Sequence, residues 1–221
     1  MEYCYEYPRP ALTADIILLT LLNNKIHTLL IQRKNDPFAG CWAFPGGFVD
    51  EDENAHTAAI RELEEETNLK GITLTELFTD SELNRDPRGR TVSVVFYGFI
   101  DAKSINKAKA GDDAANVNWF PIDNLPELAF DHKLLQEQML ARLAQLLVKD
   151  NFGFNLLGET FKLSVFNIVF NQVFKNESIG NGIFKRLEHF KLIIVDDSTD
   201  NCKFNLQLLQ QYKKKGISVL Q

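Results

Sequence analysis

Runs of apolar residues in the first half of the chain predict a sheet. Segments 14–22 and 26–33 are rich in aliphatic and β-branched residues, and Asn23-Asn24-Lys25 separates them as a tight turn would, so a β-hairpin is predicted. The same criteria predict further short strands, and an apolar repeat of helical spacing predicts a mostly helical segment. These strands are placed at 42–44, 72–78, 91–100 and 117–120, and the helical segment at 127–148.

A glycine loop and a helix interrupt this series of strands. Pro45-Gly46-Gly47 predicts a break in regular structure. Asp50 and Asp52 signal the start of a helix whose body covers residues 54–67, and Asn68 is expected in the left-handed conformation that ends a helix.

The pattern restarts after residue 150 in a Phe-rich segment. Helices are predicted over 163–174 and 178–190, followed by strands over 192–195 and 203–206 around a polar turn. Helix, helix and hairpin in this order are typical of a winged-helix domain. We therefore predict two domains, comprising residues 1–150 and 151–221.

Charge supports this division. The first 151 residues carry 15 Lys and Arg against 24 Asp and Glu, whereas the remainder carries 9 against 6. The three cysteines, Cys4, Cys41 and Cys202, are far apart and without Cys-x-x-Cys spacing, which argues against a disulfide framework or a zinc site. With no signal sequence and no apolar run of membrane-spanning length, the sequence predicts a cytoplasmic protein that does not associate with a membrane.

Three glutamates share one face of the predicted helix. Glu62, Glu65 and Glu66 are spaced i, i+3 and i+4, so their carboxylates lie together while the apolar side chains face the sheet. Hard oxygen ligands at this density suit Mg²⁺ or Mn²⁺, which would neutralise charge on a pyrophosphate and lower the pKa of a bound water. An ordinary solvated Glu-rich helix is the alternative interpretation of the acidic cluster taken alone.

The surrounding spacing decides between these interpretations. Gly47, five residues, Glu53, seven residues, and then the run from Arg61 to Leu69 resemble the Nudix box, with Asn68 in place of its last glycine. This resemblance implies an α+β fold, the Nudix α/β/α sandwich. It also implies that Arg61 pairs with Glu53 to hold the glycine loop against the helix, and that the Gly47 carbonyl joins the three glutamates as a metal ligand.

Three flanking segments bear on the substrate. Residues 33–48, 86–93 and 128–132 resemble ADP-ribose pyrophosphatases and the related Nudix-type regulators of NAD metabolism, which implies ADP-ribose or a close relative. A diphosphate between two riboses needs cationic hydrogen-bond donors and an aromatic surface for adenine. The candidates are Arg33, Arg88 and Arg90 for the donors, and Trp42, Phe130, Tyr5 or Tyr7 for the surface. Solvated arginines and a core position for Trp42 are the alternatives, and His132 either contacts ligand or orients the following helix.

A Nudix domain followed by a winged helix resembles the Nudix-related transcriptional regulators, which sense ADP-ribose and bind operator DNA. Lys185 and Arg186 are the only basic pair in the predicted recognition helix, and Asp196, Asp197 and Asp200 in the wing would repel phosphates. We therefore favour a Mg²⁺-dependent hydrolase that cleaves ADP-ribose to AMP and a sugar phosphate. The alternative is an ADP-ribose-responsive repressor that binds duplex DNA.

A homodimer is expected in either case. Residues 3–10 carry three tyrosines and two prolines with little local structure to bury them, and the families that the chain resembles complete their adenine pocket across a dimer.

Overall fold

The computed structural model describes residues 6–111, 114–149, 156–196 and 198–215. Their contacts form two compact units. One unit comprises the described residues up to Thr20 together with His27–Gln136, and the other comprises Leu21–Ile26 with the described residues from Glu137 onward. The domain boundary predicted at 150/151 falls on residues outside the described ones and stays a prediction.

The first unit is built on a mixed sheet. The strands are β1 (Ala11–Leu22), β2 (Lys25–Arg33), β3 (Trp42–Ala43), β4 (Gly46–Phe48), β5 (Leu74–Asp80), β6 (Thr91–Phe99) and β7 (Ala114–Pro121). Their order in the sheet is β3-β2-β1-β6-β5, with β4 paired to β1 and β7 paired to β2. Strand β1 runs parallel to β6, whereas β4 on β1, β3 and β7 on β2, and β5 on β6 are antiparallel. The α+β fold class is thereby confirmed.

Helix α1 (Ala55–Thr67) packs on this sheet through Ala58, Ala59 and Leu63, which are buried with residues of β1, β2 and β6. Its N-cap is Asn54, whose side chain accepts a hydrogen bond from Thr57 N at 3.0 Å. The helix therefore begins later than the aspartates at 50 and 52 suggested. Its predicted end is confirmed, since Asn68 has φ 58° and donates its N–H to Glu64 O.

Two other predictions for this unit need correction. The Pro45-Gly46-Gly47 segment is not simply a break, because Gly46–Phe48 forms β4 and pairs with Thr13–Asp15 of β1. The helical segment predicted from residue 127 begins at His132 as α2 (His132–Lys149). Phe130 has φ 53°, a left-handed conformation that a helix cannot contain. A short 3₁₀ helix, Ala102–Lys107, precedes β7.

The second unit has the winged-helix arrangement. Helices α3 (Leu163–Phe174) and α4 (Glu177–His189) are followed by the β9 (Ile193–Val195) and β10 (Asn201–Phe204) hairpin, as predicted within two residues. Strand β8 (Thr160–Lys162), which completes an antiparallel sheet of order β8-β10-β9, and helix α5 (Leu206–Lys214) were not predicted. Buried phenylalanines form the core: Phe161, Phe166, Phe170, Phe184 and Phe204.

In neither unit does a described helix combine the length and apolar character needed to cross a membrane.

Candidate active site

The glycine strand β4 lies directly against two glutamates of α1. Gly46 N donates a hydrogen bond to Glu66 Oε2 at 2.9 Å. A Cβ at Gly46 would overlap the backbone oxygen of Ala14, so this position needs glycine, whereas a Cβ at Gly47 would meet the movable Glu62 carboxylate. The pairing of β4 with β1 thus fixes the glycine backbone beside the acidic face of the helix.

Arg61 connects four groups around this contact. Its Nη2 donates to Glu53 Oε1 at 2.6 Å and to the Phe48 carbonyl at 3.0 Å. Its Nη1 donates to Glu62 Oε1 at 2.8 Å and to Glu65 Oε2 at 3.1 Å. Arg61 and Glu53 are therefore in contact, and Arg61 also bridges the glycine strand to the helix.

The charges in this cluster perturb one another. The hydrogen bond with Arg61 lowers the pKa of Glu53, and the same bond raises the pKa of the guanidinium. Glu66 is only 7% exposed, and burial raises its pKa to about 8 although the Gly46 N–H opposes the shift. Burial also raises the pKa of Glu62. Ionising Glu62 or Glu66 on this face therefore costs free energy unless a cation neutralises the charge.

The donor set fits a hard divalent cation. Glu62, Glu65 and Glu66 lie on one side of α1, with Gly47 beside the Glu62 carboxylate, and oxygen is the ligand that Mg²⁺ and Mn²⁺ prefer. Among the described residues no three acidic, histidine or cysteine side chains stand together as a preformed cage. Arg61 instead holds Glu62 and Glu65, while a glycine N–H holds Glu66.

The C-terminal end of α1 is clamped by the segment that precedes β7. Lys109 N donates to Thr67 O at 2.9 Å, and Gly111 N donates to Glu66 O at 2.9 Å. A Cβ at Gly111 would overlap Glu65 O, so this segment packs backbone to backbone against the helix. Carbonyls that a helix end leaves unpaired are thereby satisfied, which fixes the last turn and its glutamates.

A cleft of about 80 Å³ opens beside the glycine strand. Arg33 Cζ lies 4.7 Å from the centroid of the Phe130 ring, and Arg88 Cζ lies 5.3 Å from the same centroid and 4.7 Å from that of Phe48. These stacks orient two guanidinium groups at the cleft. Its lining includes Asp15, Arg33, Gly46, Gly47, Arg88 and Phe130.

A buried ionic network forms part of the same cleft wall, and the sequence did not reveal it. Arg85 donates through Nε and Nη2 to both Asp131 carboxylate oxygens, at 2.9 and 3.0 Å, and its Nη2 lies 3.6 Å from Asp15 Oδ2. Asp15 in turn accepts a hydrogen bond from the Ser93 hydroxyl. Although burial opposes the shift, the Asp15 and Asp131 carboxylates raise the pKa of Arg85. No short-range spacing signals a pair separated by 46 residues.

His132 lies at the start of α2, behind the glycine strand. Its Nδ1 accepts a hydrogen bond from Phe44 N at 3.0 Å, and its Nε2 lies 3.6 Å from Asp15 Oδ1. Burial lowers the pKa of the imidazole. The ring also lines the cleft, so it both orients the main chain before β4 and borders the site.

The other predicted substrate residues are not all gathered here. Arg90 lines a second cleft rather than the first, and its Nη1 donates to Glu82 O at 2.9 Å. Trp42 lines neither cleft, because its ring packs edge-on against Phe120 with centroids 4.7 Å apart. Tyr7 is 71% exposed, and Tyr5 lies outside the described residues.

Comparison with known proteins identifies this arrangement. The profile of the NUDIX domain family matches residues 11–143. The chain belongs to the Nudix superfamily. It is 45% identical over 134 residues to the ADP-ribose pyrophosphatase of Methanocaldococcus jannaschii, covering 60% of this chain and 75% of that protein. It is 28% identical over 200 residues to the ADPR responsive transcriptional repressor NtrR of Acinetobacter baylyi, covering 85% and 79%.

A solved structure extends the Nudix comparison through both units. Shewanella oneidensis NrtR complexed with a 27mer DNA matches with a TM-score of 0.66 and 29% identity, covering 87% of this chain and 91% of that one. Nudix hydrolases generally use divalent metal ions, in keeping with the oxygen-rich donor set of α1.

Beyond the Nudix fold, α4 carries the predicted DNA-binding pair. Lys185 and Arg186 are exposed, whereas Phe184 and Leu187 on the same helix are buried. Each basic residue therefore lies on the solvent side of α4. Lys185 and Arg186 together form an exposed basic patch.

The acidic wing is engaged in local structure. Asp196 accepts hydrogen bonds from the Ser198 and Thr199 hydroxyls at 2.6 and 2.8 Å, and these bonds lower its pKa. Asp200 Oδ2 accepts from the Ser164 hydroxyl at 2.8 Å, at the start of α3. These carboxylates thus shape the turn and cap a helix, while Asp197 lies outside the described residues.

Proposed function

We propose that this protein is a divalent-metal-dependent Nudix hydrolase that cleaves the pyrophosphate of ADP-ribose, or of a closely related nucleoside diphosphate sugar, to AMP and a sugar phosphate. The observation that carries the proposal is the contact of Arg61 with Glu53, Glu62 and Glu65 beside the glycine strand. A solvated Glu-rich helix needs no such convergence. The 45% identical ADP-ribose pyrophosphatase supports the substrate class.

In this proposal Glu62, Glu65, Glu66 and the Gly47 carbonyl hold Mg²⁺ or Mn²⁺. A cation bound there would neutralise charge on the diphosphate and acidify a bound water. Arg61 positions the two carboxylates that it contacts and keeps them from separating when the site is empty of substrate. The Glu66 contact with the glycine N–H keeps the third carboxylate aimed at the same side of the helix.

The cleft residues of this site are suited to a diphosphate. The Arg33 and Arg88 guanidiniums already lie against Phe130, so little rotamer freedom remains to be lost when they bind phosphate oxygens. Arg90, in the adjoining cleft, is proposed as a third cationic contact. Trp42, whose ring packs on Phe120, stays a predicted aromatic contact for adenine.

A second candidate function is ADP-ribose-responsive DNA binding. It is favoured by the winged-helix unit and by the similarity to a chain whose structure includes a 27mer DNA. Lys185 and Arg186 would then contact the duplex. Either function is proposed for a homodimer, in which the exposed Tyr7 would contribute to the contact between copies.

The deciding experiment measures both activities on one preparation. AMP release from ADP-ribose is followed with Mg²⁺, with Mn²⁺ and with chelator, beside a mobility-shift assay that uses the DNA upstream of the chain's own gene. We expect metal-dependent AMP release, and weak DNA binding that does not respond to ADP-ribose. Absence of turnover with either metal, together with nanomolar DNA binding that ADP-ribose reverses, would assign the regulator function instead.

A further inference from the structure

Asp86 contacts Arg88, one of the arginines assigned to the diphosphate. Its Oδ1 accepts hydrogen bonds from the main-chain N–H of Arg88 at 2.9 Å and from Arg88 Nε at 3.0 Å, and its Oδ2 accepts from Nη2 at 2.6 Å. The Asp86 side chain is 7% exposed, whereas that of Arg88 is 42% exposed. Both residues line the cleft beside the glycine strand. A buried carboxylate therefore holds an exposed guanidinium at the wall of the proposed site.

The Asp86 carboxylate is ionised in this contact. Although burial opposes the shift, the hydrogen bonds from Arg88 lower the pKa of Asp86. Hydrogen bonds between two ionised groups are shorter and stronger than neutral ones, and a carboxylate that accepts from two guanidinium nitrogens also fixes the plane of the fork. The conformation of the Arg88 side chain is thus set by the residue two positions before it.

Two aromatic rings lie against the same guanidinium. Arg88 Cζ is 4.7 Å from the centroid of the Phe48 ring and 5.3 Å from that of the Phe130 ring. Phe48 belongs to β4, and its carbonyl accepts a hydrogen bond from Arg61 Nη2 at 3.0 Å. Arg88 is therefore docked on the strand whose backbone also contacts the acidic helix.

These contacts leave one edge of the guanidinium for a ligand. A guanidinium carries five N–H donors in a planar fork, and Asp86 occupies the edge formed by Nε and Nη2. Nη1 of Arg88 forms no hydrogen bond with any of the residues that the structure describes. The edge formed by Nη1 and Nη2 can therefore donate to phosphate oxygens while Asp86 stays bound.

From these contacts we infer that Asp86 is a positioning residue, which holds Arg88 with its Nη1 edge toward the diphosphate. This inference rests on the proposed function, because it assumes a substrate whose phosphate oxygens reach Arg88. A mobile arginine loses rotamer freedom when it binds phosphate, whereas an arginine held by Asp86 has already lost that freedom. A carboxylate that competes with phosphate for the guanidinium would have the opposite effect on affinity.

A double-mutant cycle tests whether Asp86 acts through Arg88. The ligand is an ADP-ribose analogue with a methylene group between its two phosphates, and its dissociation constant is measured calorimetrically with Mg²⁺. The proteins are the parent chain, Asp86→Asn, Arg88→Gln and the double variant. Glu82→Gln is the matched control, because Glu82 is an exposed acidic residue of the same loop, and the substitution keeps the carbonyl that accepts from Arg90. Thermal melting and ADP-ribose turnover are recorded for each protein.

We expect Asp86→Asn to weaken binding of the analogue about fivefold, because one arginine side chain regains its freedom in the unbound protein. In the Arg88→Gln background the same substitution should change the constant by less than about twofold, since no guanidinium remains to be held. During turnover Asp86→Asn should raise KM by a similar factor and keep kcat within about twofold, because the acidic face of α1 is unaltered. Glu82→Gln should match the parent chain.

Tighter binding in Asp86→Asn would overturn the inference, because the carboxylate would then compete with phosphate for Arg88. Unchanged binding would also overturn it. An equal loss with and without Arg88 would show that Asp86 supports the loop and not the arginine, and an equal loss in Glu82→Gln would attribute the effect to the charge of the loop. If Asp86→Asn does not fold, Asp86→Glu, which displaces the carboxylate by one methylene group, replaces it in the cycle with the same expected loss.

Turnover separates this inference from the proposed function. If the parent chain hydrolyses ADP-ribose and the cycle shows no coupling, only the role of Asp86 is wrong. If the parent chain binds the analogue without turning over ADP-ribose, the hydrolase is wrong, and the cycle still decides the role of Asp86. A parent chain that does not bind the analogue contradicts both.

Discussion

Helices α1 and α4 are the two candidate functional helices, and their charged residues are organised in different ways. In α1 the Arg61 guanidinium contacts carboxylates at 53, 62 and 65, and Glu66 is buried against a glycine N–H. In α4 Lys185 and Arg186 lie on the exposed face of a helix whose apolar residues face the core.

The difference separates a hydrogen-bonded cluster of charged side chains from an exposed basic patch. Glu62 and Glu65 are held by Arg61 of the same helix, and Glu66 is held by Gly46 N of β4, so each of these carboxylates already has a hydrogen-bond partner before any ligand binds. Exposed basic residues acquire a function only when a polyanion is present, and their contribution is strongly screened by salt. For this reason the structure supports the hydrolase more directly than the regulator.

The largest expected effect comes from changing α1. Glu66→Gln keeps an oxygen that can accept from Gly46 N, but it removes a negative metal ligand, so Mg²⁺-dependent AMP release should fall by about two orders of magnitude or more. Glu64→Gln is the matched control on the same helix, because Glu64 pairs with Lys70 on another side. Turnover and thermal melting are measured for both.

The Glu66→Gln variant should show the cooperative thermal unfolding of a folded protein. Its loss of activity is then due to the missing metal ligand and not to loss of the fold. Should the double variant Glu65→Gln with Glu66→Gln retain full turnover, the metal role of this face would be wrong. In that event the exposed basic pair of α4, rather than the acidic face of α1, would be the stronger candidate functional site.

A smaller effect is expected from α4. Lys185→Ala combined with Arg186→Ala should reduce duplex DNA affinity about tenfold, the loss of two phosphate contacts, and should flatten the salt dependence. ADP-ribose turnover should not change. Lys203→Ala is the control, because Lys203 is a basic residue of the same unit that pairs with Glu159 at 3.0 Å. Titrations at two salt concentrations provide the measurement.

Two results would contradict this expectation. Equal losses from the control and the double variant would show that the unit binds DNA through its overall charge. Sequence-specific binding that ADP-ribose releases, and that the double variant abolishes, would place α4 above α1 in functional importance.

The sequence predicted the elements that depend on neighbouring residues. Helix α1, its Asn68 cap and the Glu face follow from spacings of three or four residues, and α3 and α4 follow from the same periodicity. Strand β4 was not predicted because glycines give no apolar pattern, although pairing with β1 makes this segment extended. The start of α2 was placed too early because Phe130 adopts a left-handed conformation that its residue type does not suggest.

The rest of the site depends on contacts between distant segments. Arg85 lies among polar residues in the sequence, yet it is buried against Asp131 and Asp15. For Trp42 the sequence left open a contact with adenine or a position in the core, and the structure shows that its ring packs against Phe120 of β7. Only the three-dimensional pairing of strands reveals such partners.

The smallest expected effect concerns His132, whose buried imidazole contacts the main chain just before β4. Its Nδ1 accepts from Phe44 N, so the neutral imidazole is the form that this contact needs. Burial lowers its pKa from 6.5, as do Arg85 and Arg33, while the nearby Asp15 and Asp131 carboxylates oppose the shift. The unfolded chain therefore binds a proton at His132 more readily than the folded chain does. The stability that the neutral imidazole contributes to the folded state is present above pH 6.5 and is lost as the pH falls through the folded-state pKa.

This titration contributes at most about 1.4 kcal/mol of unfolding free energy per pH unit. In His132→Asn the contribution is absent, so the difference in stability between parent and variant should narrow as pH falls from 7 to 5. Urea unfolding followed by tryptophan fluorescence measures this unit alone, because both tryptophans, Trp42 and Trp119, belong to it. Parallel stability curves for the two proteins over that pH range would show that His132 does not titrate with unfolding.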